Sequence, residues 1–413
     1  MKIELVSPEK IGMSAKTLSL IDEFALNGIK ALSYRGVVVL VARHGQICYF
    51  KAHGAARQGQ PMETNAVFRQ ASMTKPIVMA AFLQFYEQGH FQLDDPLSRY
   101  LPAFKDLQVA VDDGNGNINL VPAKRDVTMH DLMSYSAGFT STIFYGLDAV
   151  NSYVAQSYVD NGVRDLFHDD YTHTLEDNVN AIAQCPLLFH PGEGWQYAHA
   201  SHDIIGYLIE QFSGTSLDRY LEQAIFAPLS MTESWFYPPE SVFPRIPEAT
   251  VMHNSEAPFV EHILGLLPEN QEYSFGKNTS YLSAGGGLHC TACDYFRFAQ
   301  MMLNKGELDG VRILKPQSVE FMTQPTSEHF QISGLTGNMW GYGLDVQNSD
   351  TPGGSGLWLG GKGSYGWRGI WSTLWNNNPT NDTVAIILTQ VGDDGAFPYI
   401  YLLNAFVSAA VLD

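Results

Sequence analysis

Ser72-Met73-Thr74-Lys75 sets a hydroxyl and an amine three residues apart at the head of an apolar run. That run, Pro76-Ile77-Val78-Met79-Ala80-Ala81-Phe82-Leu83, is apolar on every side and predicts a helix buried all round. Pro76 cannot lie more than about a turn inside a helix without losing a backbone bond, so the helix must begin near Ser72. Residues at i and i+3 share a helix face, which puts Lys75 beside the Ser72 hydroxyl and both near the positive end of the helix dipole. A serine becomes a useful nucleophile when a neighbour takes its proton, and a partly desolvated amine is one such neighbour. The spacing therefore points to covalent chemistry rather than binding alone.

Positioning elements can be read on either side. Gly36 to Arg43 is β-branched and apolar, and His44-Gly45 separates it from Gln46-Ile47-Cys48-Tyr49-Phe50, which predicts a hairpin. Leu93 to Leu97 is a turn-rich exit from the Ser72 helix, and Asp112 to Asn117 is a polar loop. Thr128 to Met133 predicts a short capped helix ended by Ala137-Gly138. Residues 139–188 are helical in flavour, acidic and tyrosine-rich, as an inserted lid over a cleft would be. Pro191 to Tyr197 is a turn before a helix over His202 to Ser213, and a second amphipathic helix is expected over Asp294 to Asn304. Trp367 to Trp375 and Thr383 to Gln390 read as two strands and Pro398 to Leu412 as a closing helix. On one continuous strand Trp367, Trp371 and Trp375 would share a face, with Arg368 turned the opposite way. Strand signals thus gather at the two chain ends. The expected fold is α/β (α+β): an antiparallel sheet from both ends flanked by helices, formed by residues 1–90 and 215–413, with a mainly helical domain inserted over 91–214. A site at their junction would be ordinary.

Composition narrows the partners. The 413 residues carry 24 basic and 43 acidic side chains, a formal charge of −19, which repels phosphate backbones and anionic membranes. Neither nucleic acid nor membrane is expected, and the oligomeric state is not legible. The N-terminus lacks the basic flank and apolar core of a secretory signal, and no apolar run spans a bilayer, so a cytoplasmic location is expected. Four cysteines do not make a disulfide scaffold. Cys290-Thr291-Ala292-Cys293 has no second pair at zinc spacing and reads as packing. His199 and His202 lack a third ligand and His-Glu-x-x-His is absent, so no metal and no cofactor are expected. Gly361 to Gly366 matches Gly-x-Gly-x-x-Gly, but strand-like residues follow where a dinucleotide site needs a helix. A Gly-x-Ser-x-Gly elbow does not occur, which removes the usual α/β-hydrolase route to an esterase.

Several segments in order resemble the serine β-lactamase and penicillin-binding-protein superfamily, in its class C-like branch that includes family VIII carboxylesterases. They are Ser72 to Lys75, Asp131 to Phe139, Pro191-Gly192-Glu193-Gly194-Trp195-Gln196-Tyr197, Gly285-Gly286-Gly287-Leu288 and Gly366-Trp367-Arg368-Gly369. The resemblance implies Ser72 as nucleophile, Lys75 as the amine beside it and Tyr197 as the tyrosine of the Tyr-x-Asn motif. A nearby cation favours a phenolate, so Tyr197 could take the Ser72 proton and return it to the leaving group. The oxyanion hole implied is the backbone N–H of Ser72 and of Ile370. The former also follows from the unpaired donors at a helix start.

Two departures shape the expected substrate. Trp367-Arg368-Gly369 stands where β-lactamases and peptidases carry Lys-Thr/Ser-Gly, so an indole replaces the cation that would hold a substrate carboxylate. Tyr197-Ala198-His199 places a histidine where lactamases have asparagine. His199 could join a polar network with Lys75 or titrate near neutral pH. Trp367, Gly369 and His199 are the expected substrate-binding residues. The leading expectation is a carboxylesterase acting on short-chain esters or lactones through an acyl-enzyme, with transesterase capacity. A β-lactamase, amidase or D-amino acid peptidase is the alternative on the same fold, and a sensor that acylates without turnover is a third.

Overall fold

In the computed structural model, residues 4–142, 148–164, 173–250, 280–327, 338–348, 361–392 and 397–412 are described. His44 and Gly45, at φ of 52° and 71°, make the tight turn between β1 (Gly36–Arg43) and β2 (Gln46–Arg57), the left-handed geometry that such hairpins need. The short β3 (Gln60–Pro61) extends that edge. The remaining strands of this sheet come from the other end of the chain: β4 (Asn338–Trp340), β5 (Asp345–Gln347), β6 (Tyr365–Gly369), β7 (Thr373–Asn378) and β8 (Thr383–Leu388). Their spatial order is β4-β5-β6-β7-β8-β1-β2-β3, antiparallel throughout. The helices that matter below are α1 (Ala15–Lys30), α2 (Thr74–Glu87), α3 (Met129–Ser134), α4 (Ala149–Asp160), α5 (Leu175–Ile182), α6 (His199–Ser213), α7 (Ala292–Leu303) and α8 (Phe397–Ala409).

The seam between chain ends is β1 against β8, from Val38 opposite Leu388 to Arg43 opposite Thr383. β1 is buried along its whole length because the sheet is covered on both faces. Val38, Leu40 and Ala42 enter the larger core, whereas Val37, Val39 and Val41 meet Leu18 and Ile21 of α1 and Ile400 and Leu403 of α8. Arg43 secures the seam by donating to the carbonyls of Asn381, Ile11 and Gly12. Residues Thr74 to Leu83 of α2 are all buried, as their unbroken apolar character requires. Among the described residues, no helix is long and apolar enough to cross a membrane.

Several expectations need revision. Trp367 to Trp375 is a hairpin rather than one strand: β6 and β7 are joined by Ile370-Trp371-Ser372, with Ser372 at φ 54°. Trp367 and Trp375 still share a face, because they oppose each other across the ladder, and Trp371 sits in the turn. Gly369 at its entry and Ser372 within it are the turn-forming residues there, a signal weaker than the apolar and aromatic run around them. Arg368 does point to the other face, where it bonds the Tyr401 hydroxyl of α8. The loop at 112–117 joins two strands, Gln108–Asp112 and Ile118–Pro122, whose half-exposed residues lack a clear alternation. α3 ends at Tyr135 (φ 66°) rather than at Ala137-Gly138, and α6 begins at His199 rather than His202. α4 and α5 lie in the expected lid stretch, of which residues 143–147 and 165–172 lie outside the described residues. The loop preceding β6 carries Gly361 and Gly363 and leads into a strand, so the glycine motif there is a turn.

Phe82, fully buried in α2, stacks on Phe91 at 4.7 Å between centroids. Phe82→Ala should therefore cost about 3–5 kcal/mol of unfolding free energy by transfer and cavity formation, read from urea denaturation midpoints.

Candidate active site

The residues Ala71–Met73 form a single 3-10 turn that leads into α2, with Ser72 half-buried at its centre. Ala71 is fully buried at φ 46°, a left-handed conformation that costs roughly 1–3 kcal/mol for a residue with a side chain. The surroundings hold it there. The Gln70 N–H donates to Leu288 O (2.8 Å), Thr373 Oγ1 donates to Gln70 O (3.1 Å), and the Tyr295 hydroxyl donates to Met73 O (2.9 Å). A side chain at Gly369 would begin 2.3 Å from Gln70 O and 2.3 Å from Thr373 Oγ1. Only glycine lets the end of β6 lie against the serine turn, and Ile370 is the next residue into that junction.

Lys75 is fully buried. Its Nζ donates to Ser72 Oγ at 3.1 Å and to the carbonyl of Gly285 at 2.6 Å, and it lies 5.0 Å from the centroid of the Tyr197 ring. An amine removed from water must find acceptors, and here one of them is the serine oxygen. The expected trio of Ser72, Lys75 and Tyr197 therefore meets at one place, although 122 residues separate Lys75 from Tyr197 in sequence.

Trp367 closes the next side. Its indole Nε1 donates to the Tyr197 hydroxyl at 3.3 Å, and the two rings lie 5.5 Å apart, tilted by 41°. Trp340 stands edge-on to both, at 4.6 Å from Trp367 and 5.8 Å from Tyr197, and stacks on Tyr135 at 4.9 Å. Trp195 completes the cluster. Sequence reasoning named Trp367 and missed Trp340 and Tyr135. Trp340 belongs to β4, distant from any motif, and Tyr135 sits inside the Asp131 segment without a distinguishing signal. Behind this wall the Tyr135 hydroxyl and His202 Nδ1 are 2.6 Å apart.

His199 and His202 are on the first turns of α6 and both are buried. His199 Nε2 pairs with Ser283 Oγ at 2.8 Å, and its ring fills the space where a Gly285 side chain would stand. Burial, and then the nearby Lys75, hold both imidazoles well below their ordinary pKa. Of the two roles left open for His199, titration near neutral pH is disfavoured, because an imidazolium there would be dry and beside an amine. Asp203, one turn further, was missed by sequence. Burial lifts its carboxyl to about 7 against three donors: Tyr281 Oη (2.6 Å), Asn178 Nδ2 (2.7 Å) and Ala284 N–H (3.0 Å). Cys290 and Cys293 are free, and burial raises both thiols, which fits packing rather than reactivity.

The fold and this junction are those of a beta-lactamase-fold serine hydrolase. The family model described as Beta-lactamase matches residues 22–405, and the chain belongs to that family. It is 28% identical over 374 residues to Esterase EstB of Burkholderia gladioli, covering 87% of each protein. It is 26% identical over 400 residues to an Escherichia coli K12 protein described as a candidate D-alanyl-D-alanine carboxypeptidase, covering 93% of this chain and 84% of that one. Among solved structures, EstCE1, a hydrolase with promiscuous acyltransferase activity, superposes with a TM-score of 0.76 at 24% identity, covering 95% of this chain and 99% of that one.

The buried histidines carry a pH consequence. Because their folded pKa lies below the unfolded value near 6.5, the unfolded chain binds more protons in acid and stability falls as pH drops below about 6.5. The ring C–H resonances of His199 and His202, assigned through His199→Gln and His202→Gln, should stay at neutral-imidazole positions from pH 8 to pH 5.5.

Proposed function

We propose that this chain is a carboxylesterase of the family VIII type that cleaves short-chain esters or lactones through a Ser72 acyl-enzyme. One observation carries the reading: Lys75 bonds Ser72 beneath the Tyr197 ring, while an indole rather than an ammonium bonds the phenol from the third motif. In acylation Tyr197, acting as general base with Lys75 against its ring, takes the Ser72 hydroxyl proton while Oγ attacks the ester carbonyl. The oxyanion is received by the backbone N–H groups of Ser72 and Ile370. Collapse breaks the acyl C–O bond, and Tyr197 returns its proton to the departing alkoxide. Water then enters, gives a proton to Tyr197 and attacks the acyl carbon, and the proton passes back to Ser72 Oγ as the acid leaves. An alcohol in place of water gives transesterification by the same steps.

The substrate class rests on Trp367. A ring with a single donor already directed at Tyr197 offers apolar contact and no charge for a carboxylate, so neutral esters are favoured over carboxylate-bearing lactams and peptides. Gly369 serves by letting β6 close on the serine turn, and His199 by backing the segment that holds Lys75. The name of Esterase EstB agrees with this class.

With p-nitrophenyl acetate or butyrate as substrate, Ser72→Ala should abolish turnover. Lys75→Ala and Tyr197→Phe should each lower kcat by about 100-fold or more, with circular dichroism unchanged. Cephalosporin hydrolysis at a comparable kcat/KM would replace the ester reading with the lactamase one, and a burst of one equivalent without turnover would mark a sensor.

A further inference from the structure

The Gly285 carbonyl that accepts from Lys75 belongs to a stretch, residues 281–288, that is buried except at half-buried Gly287 and has no helix or strand to fix it. Its internal bonds are few, from Gly286 N–H and Gly287 N–H to Ser283 O. Irregular backbone in a core is held by whatever side chains meet its polar groups. Here the carboxylate of Asp203, fully buried, meets it at two points: Oδ1 accepts from the Ala284 N–H and Oδ2 from the Tyr281 hydroxyl. Asn178 Nδ2 supplies a third donor from α5. We propose that Asp203 is a positioning residue for catalysis, whose carboxylate locks the 281–285 segment so that the Gly285 carbonyl holds Lys75 against Ser72.

The geometry makes the role more than packing. One peptide unit lies between that of the Ala284 N–H and that of the Gly285 C=O, so a shift of the Asp203 contact is passed to the Lys75 acceptor along a very short stretch of backbone. Asp203 is also one helical turn from His199, whose ring packs on Gly285 and bonds Ser283. The helix that starts just after Tyr197 therefore sets the phenol and the lysine's acceptor from one rigid element. The charged and titratable groups around Asp203 are Lys75 on α2, His199 on its own helix, Tyr281 on the held segment and, more distantly, Tyr135 beyond α3. Protonating Asp203 puts a hydrogen where three donors converge and removes one of their acceptors. With its carboxyl lifted to about 7 by burial, that loss falls in the neutral range.

This inference rests on the Ser72 reading, and its test reads Ser72 reactivity separately from ester preference. The full chain and its Asp203→Asn and Tyr281→Phe variants are compared by ester turnover and by the rate at which a fluorophosphonate labels Ser72, from pH 5.5 to 9, with thermal unfolding as control. Asp203→Asn should lower kcat and the labelling rate by roughly 10- to 100-fold, the scale of a small misplacement of a catalytic group, with KM within about twofold. The parent's loss of labelling below about pH 7 should flatten in that variant. Tyr281→Phe removes a donor that favours the carboxylate, so its acid limb should move to higher pH, and this variant decides the matter if Asp203→Asn does not fold. A folded Asp203→Asn with parental labelling and pH profile overturns the proposal, as does Tyr281→Phe with an unmoved limb. A parent whose Ser72 labels but hydrolyses no ester would instead defeat the ester reading and leave the Asp203 comparison legible.

Discussion

A lysine amine with no access to water is the constraint on which the rest of this structure depends. Lys75 is fully buried on a helix that is itself buried, so its hydrogen-bonding capacity must be met by protein atoms or its burial would cost several kcal/mol. The acceptors found are the Ser72 hydroxyl and the Gly285 carbonyl, with the Tyr197 ring alongside. Satisfying the amine and assembling the site are thus one event. The serine turn, the 280–288 segment and the start of α6 are each held where the amine needs them.

That requirement explains the strain and tight contacts nearby. Ala71 adopts a left-handed backbone that the chain would not choose alone, and it persists because Gln70, Met73 and Thr74 are bonded from three other segments of the chain. Gly369 allows the β6 hairpin to press on that turn, and Gly285 leaves room for the His199 ring. Interiors this dense tolerate no extra methyl group at such points.

The aromatic wall answers a second question, that of what the site excludes. Tyr135, Trp340, Trp367 and Tyr197 pack at 4.6–5.8 Å with edge-to-face and stacked geometries, which fixes Trp367 so that its single N–H meets the phenol. A lysine at that position would bring a mobile charge for a carboxylate. The indole brings a fixed, nearly neutral surface, and the proposed preference for esters follows from that exchange.

Much was legible in the amino-acid order because it depends on local rules. The apolar run after Ser72 could only be an all-round buried helix, the His44-Gly45 turn could only fold back, and a sheet fed by both chain ends followed from where strand signals lie. The trio of Ser72, Lys75 and Tyr197 was carried by motif resemblance. Tertiary structure alone decided what depends on contacts between distant segments. It broke Trp367 to Trp375 into a hairpin whose turn is only weakly marked by Gly369 and Ser372, and brought Trp340 from another strand onto Tyr135. It buried His199 so deeply that titration, one of the two roles left open for it, is disfavoured, and it seated Asp203 beneath the segment that holds Lys75. Residue type and spacing fix what a chain can form within a few turns. Burial and the pairing of polar groups across the core exist only once the whole chain has closed.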